Sequence, residues 1–179
     1  MSLSLVAILL TLVTPSGIQA PAPAGSLSYT APPAWQTRPS TSSMRVAEFV
    51  IPRAQGDAED GEVIVYYFGT GAGTIDANID RWIGQVQQPD GSSTKDKARR
   101  SSQTVNGSHV TMVDVTGTYV AEMRPGAAEH YNKPGYRLRA AVVETPRGPY
   151  YLKMTGPEKT MAAADAAFTA FVGSLRYVP

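Results

Sequence analysis

The chain has 179 residues, 42% of them hydrophobic and 17% charged, with a net charge of +1 and no cysteine. That length suits one domain, and the near-neutral charge removes any global electrostatic case for nucleic acid or an acidic membrane surface. The missing thiols exclude disulfides, thiolate metal sites, cysteine nucleophiles and lipidation behind a signal sequence.

Leu3 to Val13 is an apolar run of about 11 residues, the length of a signal-peptide core and short of a bilayer span. Pro15 and Gly17 break it, and Ala22-Pro23-Ala24 offers a cleavage site before Gly25, although no Lys or Arg precedes the run. The expectation is a signal peptide over residues 1–24, export to the periplasm or medium, and no stable membrane anchor after cleavage. Residues 25–43, rich in Pro, Ser and Thr, read as an extended lead-in that Leu27, Tyr29 and Trp35 could tie to the domain. Residues 44–179 read as a single α+β domain.

Within it, Met44 to Ile51 alternates as a half-buried strand, with Ala47, Phe49 and Ile51 on one side and Glu48 and Val50 on the other. A polar turn holding Asp57, Glu59, Asp60 and Glu62 then leads into the apolar strand Val63 to Phe68. The acids lack the ligand order of a calcium loop and read as a solvated tip. Glycines 69, 71 and 73 follow, and a helix is predicted from Thr74 to about Gln87, with Ile75, Ile79, Trp82, Ile83 and Val86 in one stripe. Thr74 suits the N-cap, and Asn78, Arg81 and Gln85 share the opposite face.

A basic loop (Lys95, Lys97, Arg99, Arg100) precedes a hairpin turning at Asn106-Gly107, the pair favoured in two-residue turns. A long loop with His130, Tyr131 and Lys133 leads to a strand over Tyr136 to Glu144 and another over Tyr150 to Thr155. Gly156-Pro157 opens a closing helix whose buried stripe is Met161, Ala164, Phe168, Phe171, Val172 and Leu175. The order is β-β-α-β-β-β-β-α, which implies a mainly antiparallel sheet packed by two amphipathic helices.

No spacing identifies a catalytic centre. Gly69-Thr70-Gly71-Ala72-Gly73 departs from the dinucleotide and phosphate-loop patterns, because neither the second-glycine spacing nor a following Lys is present. A glycine turn at a helix start can still offer free N–H groups to a carboxylate or phosphate. Two histidines, His109 and His130, are too few for a zinc site of ordinary composition, so no metal or other cofactor is expected.

Tyr67-Phe68-Gly69 with the glycine turn, Ala77-Asn78-Ile79, Arg81-Trp82 with Gln85, and the late Leu152-Lys153-Met154-Thr155-Gly156-Pro157 together resemble an uncharacterised group of exported bacterial proteins. The resemblance spans about residues 35 to 176. More remotely, the element order resembles the PsbP-like α/β/α sandwich, named for an extrinsic subunit of photosystem II. That resemblance implies an antiparallel sheet between helices and a non-catalytic accessory, assembly or ligand-binding role, and it transfers no site residues.

Two functions are therefore expected. The first is an exported accessory protein that engages a protein partner or small ligand, with no role for nucleic acid. Its working surface would be Gly69, Gly71, Gly73 and Thr74 at the turn, Asn78 and Arg81 on the helix, and Lys153 with Thr155. The second is a small exported hydrolase with a Ser or Thr nucleophile, His109 or His130 as base, and the glycine turn stabilising an anion.

Overall fold

The computed structural model describes residues 25–179; the signal sequence expected over 1–24 lies outside the described residues. The chain first forms β1 (Ser26–Ser28) and β2 (Gln36–Arg38), then β3 (Arg45–Ile51) and β4 (Gly61–Tyr67). Helix α1 (Ile75–Ile83) follows, then β5 (Val86–Gln87), the single-turn α2 (Thr94–Lys97), β6 (Arg99–Val105) and β7 (Ser108–Tyr119). Strands β8 (Lys133–Val143) and β9 (Tyr150–Pro157), helices α3 (Glu158–Ala163) and α4 (Asp165–Gly173), and β10 (Arg176–Val178) complete it.

The main sheet is antiparallel in the order β2-β3-β4-β9-β8-β7, with β6 and β5 sharing the outer edge of β7. β1 and β10 pair separately. Because successive side chains on a strand point to opposite faces, the sheet buries two cores. On one face, Phe49, Val63, Val65, Leu152 and Met154 meet Met161, Phe168, Phe171 and Val172 of the closing helices. On the other, Ile79, Trp82 and Ile83 of α1 meet Val113, Val115, Leu138, Val142 and Tyr151. The architecture is α+β, a sheet between helices, as the alternation implies.

The six residues of the expected closing stripe are all buried, although the single helix expected there is two, α3 and α4, broken at Ala164, with Leu175 beyond the second; Asn106 and Gly107 both have positive φ at the hairpin turn. Three local readings change. The first helix ends at Ile83 rather than near Gln87, because the edge of β7 offers backbone partners: Val120 N–H donates to the Gln85 carbonyl and Val86 pairs with Tyr119. Tertiary pairing outweighs the modest helix propensity beyond Gly84.

Residues 25–43 are more than a lead-in, since β2 extends the sheet while Leu27 and Trp35 are buried, Trp35 packing against Phe49 and Phe171. The acidic turn is not merely solvated. The Asp57 carboxylate accepts the Thr160 N–H at 2.8 Å and caps α3 from a distance, while Glu59 pairs with Lys133 and Glu62 with Arg38.

Candidate functional site

Helix α1 covers only the half of its face formed by β7, β8 and β9. Across the other half the register runs Arg38 (β2), Glu48 (β3) and Ile64 (β4) to Lys153 of β9 at the boundary, so charged side chains flank the buried Ile64 beyond the core that α1 covers. Arg81 and Gln85 come down from α1 at the boundary between the two halves.

Strand β9 alternates Tyr150, Leu152 and Met154 toward the closing helices with Tyr151, Lys153 and Thr155 toward α1. Lys153 is thus forced into a mostly apolar face. Its Nζ donates to Gln85 Oε1 at 2.6 Å and to Tyr119 Oη at 2.8 Å, and lies 5.0 Å from the centre of the Tyr119 ring. Both hydrogen-bond partners are neutral. Burial disfavours the ammonium form and, with Glu62 opposing and the cations Arg81 and Arg45 assisting, brings Lys153 down to about 7.

The neighbouring cations are placed differently. Arg45 donates to Glu48 at 3.1 Å, and Arg38 reaches both Glu48 and Glu62. Glu48 is fully buried on the edge of the same half-face. Burial acts to raise its pKa, but hydrogen bonds from the Thr41 N–H and hydroxyl, with Arg45, outweigh it and hold Glu48 below the usual carboxylate range. Arg81 donates only to the Asn78 side-chain oxygen, at 3.1 Å. Among the described residues neither Arg81 nor Lys153 forms an ion pair.

Tyrosines wall this region. Tyr119 stacks between Tyr131 and Tyr136, and Tyr66 stacks on Phe68 with the Arg45 guanidinium over its ring. Burial raises the pKa of both Tyr66 and Tyr119, so their hydroxyls stay protonated at neutral pH.

The structure divides the residues picked from sequence. Arg81, Lys153 and Thr155 share the α1 face, with Thr155 buried two residues beyond Lys153 and paired in register with Glu62. Gly69, Gly71, Gly73 and Thr74 stand at the other end of the helix, about 10 Å from Arg81 at the rise of an α-helix. There the turn is already capped: the Thr74 hydroxyl accepts the Ala77 N–H, and Gly73 takes a positive φ that leads the chain into the cap.

Asn78 was expected on a polar face with Arg81. It is buried instead, its amide donating to the carbonyls of Ala72 and Thr74, so it locks the turn onto the helix. Tyr66, Tyr119, Glu48 and Arg45 were not singled out from sequence. The available signal was Lys153 itself, a lone charge inside the run Tyr150 to Met154.

Two surface cavities of about 420 Å³ lie elsewhere. One is lined by His109 and Glu144 at a hairpin end, the other by Arg99, Arg137 and Arg139. In the second, Asp114 and Asp165 already pair with the guanidinium groups, with Arg137 forked onto Asp114 at 2.6 and 2.8 Å. In the first, His109 Nδ1 is 2.8 Å from Glu144, but neither His109 nor His130 has a Ser or Thr hydroxyl as hydrogen-bond partner among the described residues. No group of three or more metal-ligating side chains converges among the described residues.

No family model matches the chain, and no curated protein is significantly similar to it. Solved structures are. A Pseudomonas aeruginosa protein of unknown function matches at 13% identity over 87% of this chain and 99% of its own, with a TM-score of 0.48. The cyanobacterial PsbP of Synechocystis matches at 11% identity over 92% of this chain and 99% of its own, with a TM-score of 0.46. LpqN of Mycobacterium tuberculosis, described as involved in cell envelope biogenesis, matches at 13% identity over 86% of this chain and 84% of its own, with a TM-score of 0.54. At such identity the likeness to LpqN is one of fold.

Proposed function

We propose that this protein is an exported, non-enzymatic accessory protein that binds a protein partner or small ligand on the bare half of the α1 face, with Arg81 and Lys153 as its principal contacts. One observation carries the reading: Lys153 is partly buried at the centre of the sheet and held only by the neutral groups Gln85 and Tyr119. A lysine in a core is costly, and the direct hydrogen-bond partners of Lys153 carry no compensating charge, Glu62 acting only through space; that placement supports a functional role over a packing one. The sheet between helices supplies a rigid base, and the tyrosines around Lys153 offer flat apolar contact with polar tips. No helix among the described residues is long and apolar enough to cross a membrane. Export rests on the N-terminal apolar run and its cleavage signal.

The test is site-specific photocrosslinking in the producing cell. A benzoylphenylalanine replaces Tyr66, beside the bare half-face, or Thr169, exposed on α4. The reading expects a discrete adduct from position 66 and none from position 169. Adducts from position 169 alone would overturn it.

A further inference from the structure

The main sheet ends on β2 at one side and on β5 and β6 at the other, and the three strands are finished differently. We propose that β6 is an open edge on which a second copy of this chain pairs, β6 against β6, antiparallel about a two-fold axis at Ser102. The sheet then runs on from one subunit into the next. The proposal is independent of the α1 half-face, because β6 lies beyond β7, on the side of the sheet away from β2, β3 and β4.

The free backbone is the first argument. A strand edge offers a row of unpaired N–H and C=O groups, and proteins blunt it with shortness, proline, bulges or a cover. β2 is three residues long and followed by Pro39, and β5 is two residues long with Pro89 just beyond it. β6 runs seven residues without proline, keeps an unbroken register with β7, and exposes every residue except Val105. Among the described residues no group outside β7 hydrogen-bonds to its backbone, and no side chain from Ser101 to Thr104 forms a hydrogen bond.

Register is the second argument. The two-residue turn at Asn106-Gly107 makes Val105 and Ser108 a hydrogen-bonded pair, so by alternation Arg99, Ser101, Gln103 and Val105 direct their backbone groups to β7. Arg100, Ser102 and Thr104 then turn theirs outward. With the axis at Ser102, that residue faces its own counterpart, and Arg100 and Thr104 face one another on both sides of it. All three outward residues are used, giving about six hydrogen bonds between the subunits.

Charge is the third argument. Both arginines stand at one end of β6 and are drawn back into their own subunit, Arg99 by Asp114 at 3.2 Å and Arg100 by Asp76. The centre, Ser101 to Thr104, is uncharged. Antiparallel pairing sets Arg99 opposite Val105 and Ser101 opposite Gln103, so no like charges meet across the seam. An axis moved to Arg100 would oppose that arginine to itself. A two-fold contact of this kind closes on two copies, and the short remaining edges at β2 and β5 stop the sheet from growing further. A seam of one short strand from each subunit is small, so the dimer is reversible and dependent on concentration.

The experiment is sedimentation velocity of the protein purified from its producing cell, over about a hundredfold range of concentration, alongside Ser102→Lys, Ser102→Glu and their equimolar mixture. Ser102 is exposed and its backbone groups do not serve β7, so both variants keep the hairpin. The wild type is expected to pass from monomer to dimer as concentration rises. Each variant alone sets like charges together at the axis and should dimerise roughly tenfold more weakly, whereas the mixture, with opposite charges there, should recover the dimer. Because the chain has no cysteine, Ser102→Cys carries a single thiol. Mild oxidation should join two copies through it, a Cα separation of about 5.5 Å suiting a disulfide, while Thr169→Cys on α4 should stay unjoined.

A monomer at every concentration, with no disulfide at position 102, would overturn the proposal. A dimer left undiminished by Ser102→Lys would place the contact on another surface and overturn it equally. A benzoylphenylalanine in place of Gln103 that joins this chain to a different protein, and never to itself, would overturn the choice of a second copy. None of these results alters what the crosslink from position 66 reports about the α1 half-face.

Discussion

Lys153→Met is the most informative single change, because it alters the pH dependence of stability in a calculable direction. In the unfolded chain a lysine titrates near 10.4, whereas in the folded protein Lys153 is brought down to about 7. Between those values the unfolded chain holds a proton that the folded chain lacks, so stability rises with pH. Below about 7 both states are protonated and the dependence vanishes; above about 10.4 both are neutral and it vanishes again. The slope within the window is about 1.4 kcal/mol per pH unit. From pH 7 to pH 9 the wild type should therefore gain roughly 2–3 kcal/mol relative to Lys153→Met, whose side chain has similar length and no titration. The buried tyrosines titrate higher and are common to both proteins, so the difference isolates the lysine. Urea unfolding of both proteins at pH 7, 8 and 9 measures it. Parallel curves, with a difference that stays constant within a few tenths of a kcal/mol, would show that Lys153 is charged and solvated throughout, and the argument that it is a buried amine held by neutral partners would fail.

Other expected outcomes follow from single contacts. Gly156→Ala would place a Cβ 2.8 Å from the Cα of Gly61 and from Met161 Cε, well inside carbon contact distance, and should cost about 1–3 kcal/mol in chemical unfolding. Gly71→Ala, with nothing within 4 Å and no positive φ, should change stability by less than about 0.5 kcal/mol. Asp57→Ala removes the carboxylate that caps α3 and should cost about 1–2 kcal/mol, read as a lower thermal midpoint. Glu48→Gln leaves Arg38 and Arg45 without their buried counter-charge and should cost about 3 kcal/mol at pH 7. Because Glu48 is held below the usual range, the wild type should lose stability as pH falls below about 4.5, and the variant should lose less, which acid titration by circular dichroism resolves.

Much of the fold was legible where period and environment agree. The closing segment displays its six buried residues at helical spacing even though the chain breaks into α3 and α4 there, and β8 and β9 alternate cleanly, since each has one core on either side. The site was legible only in fragments. Lys153 could be noticed as a charge in an apolar strand, but which face it meets depends on the register of β4, β9 and β8, a pairing between segments about 90 residues apart for β4 and β9 that no local pattern encodes. Asn78 looked like a surface residue by helical phase; the last turn before α1 folds its carbonyls back over that position and buries it. The glycine turn stands out by composition, yet what the structure shows there is a cap, the Thr74 hydroxyl accepting the Ala77 N–H. Glu48 was invisible as a buried acid because its partners Arg38 and Thr41 come from a stretch whose composition suggested only a lead-in.

Native mass spectrometry of the protein purified gently from its own source bears most directly on the central claim, that the bare half-face around Lys153 and Arg81 is the working surface. The account predicts a bound mass or partner released on denaturation from the wild type and missing from the Arg81→Gln and Lys153→Met proteins prepared in the same way. The same bound species retained undiminished by both variants would contradict it.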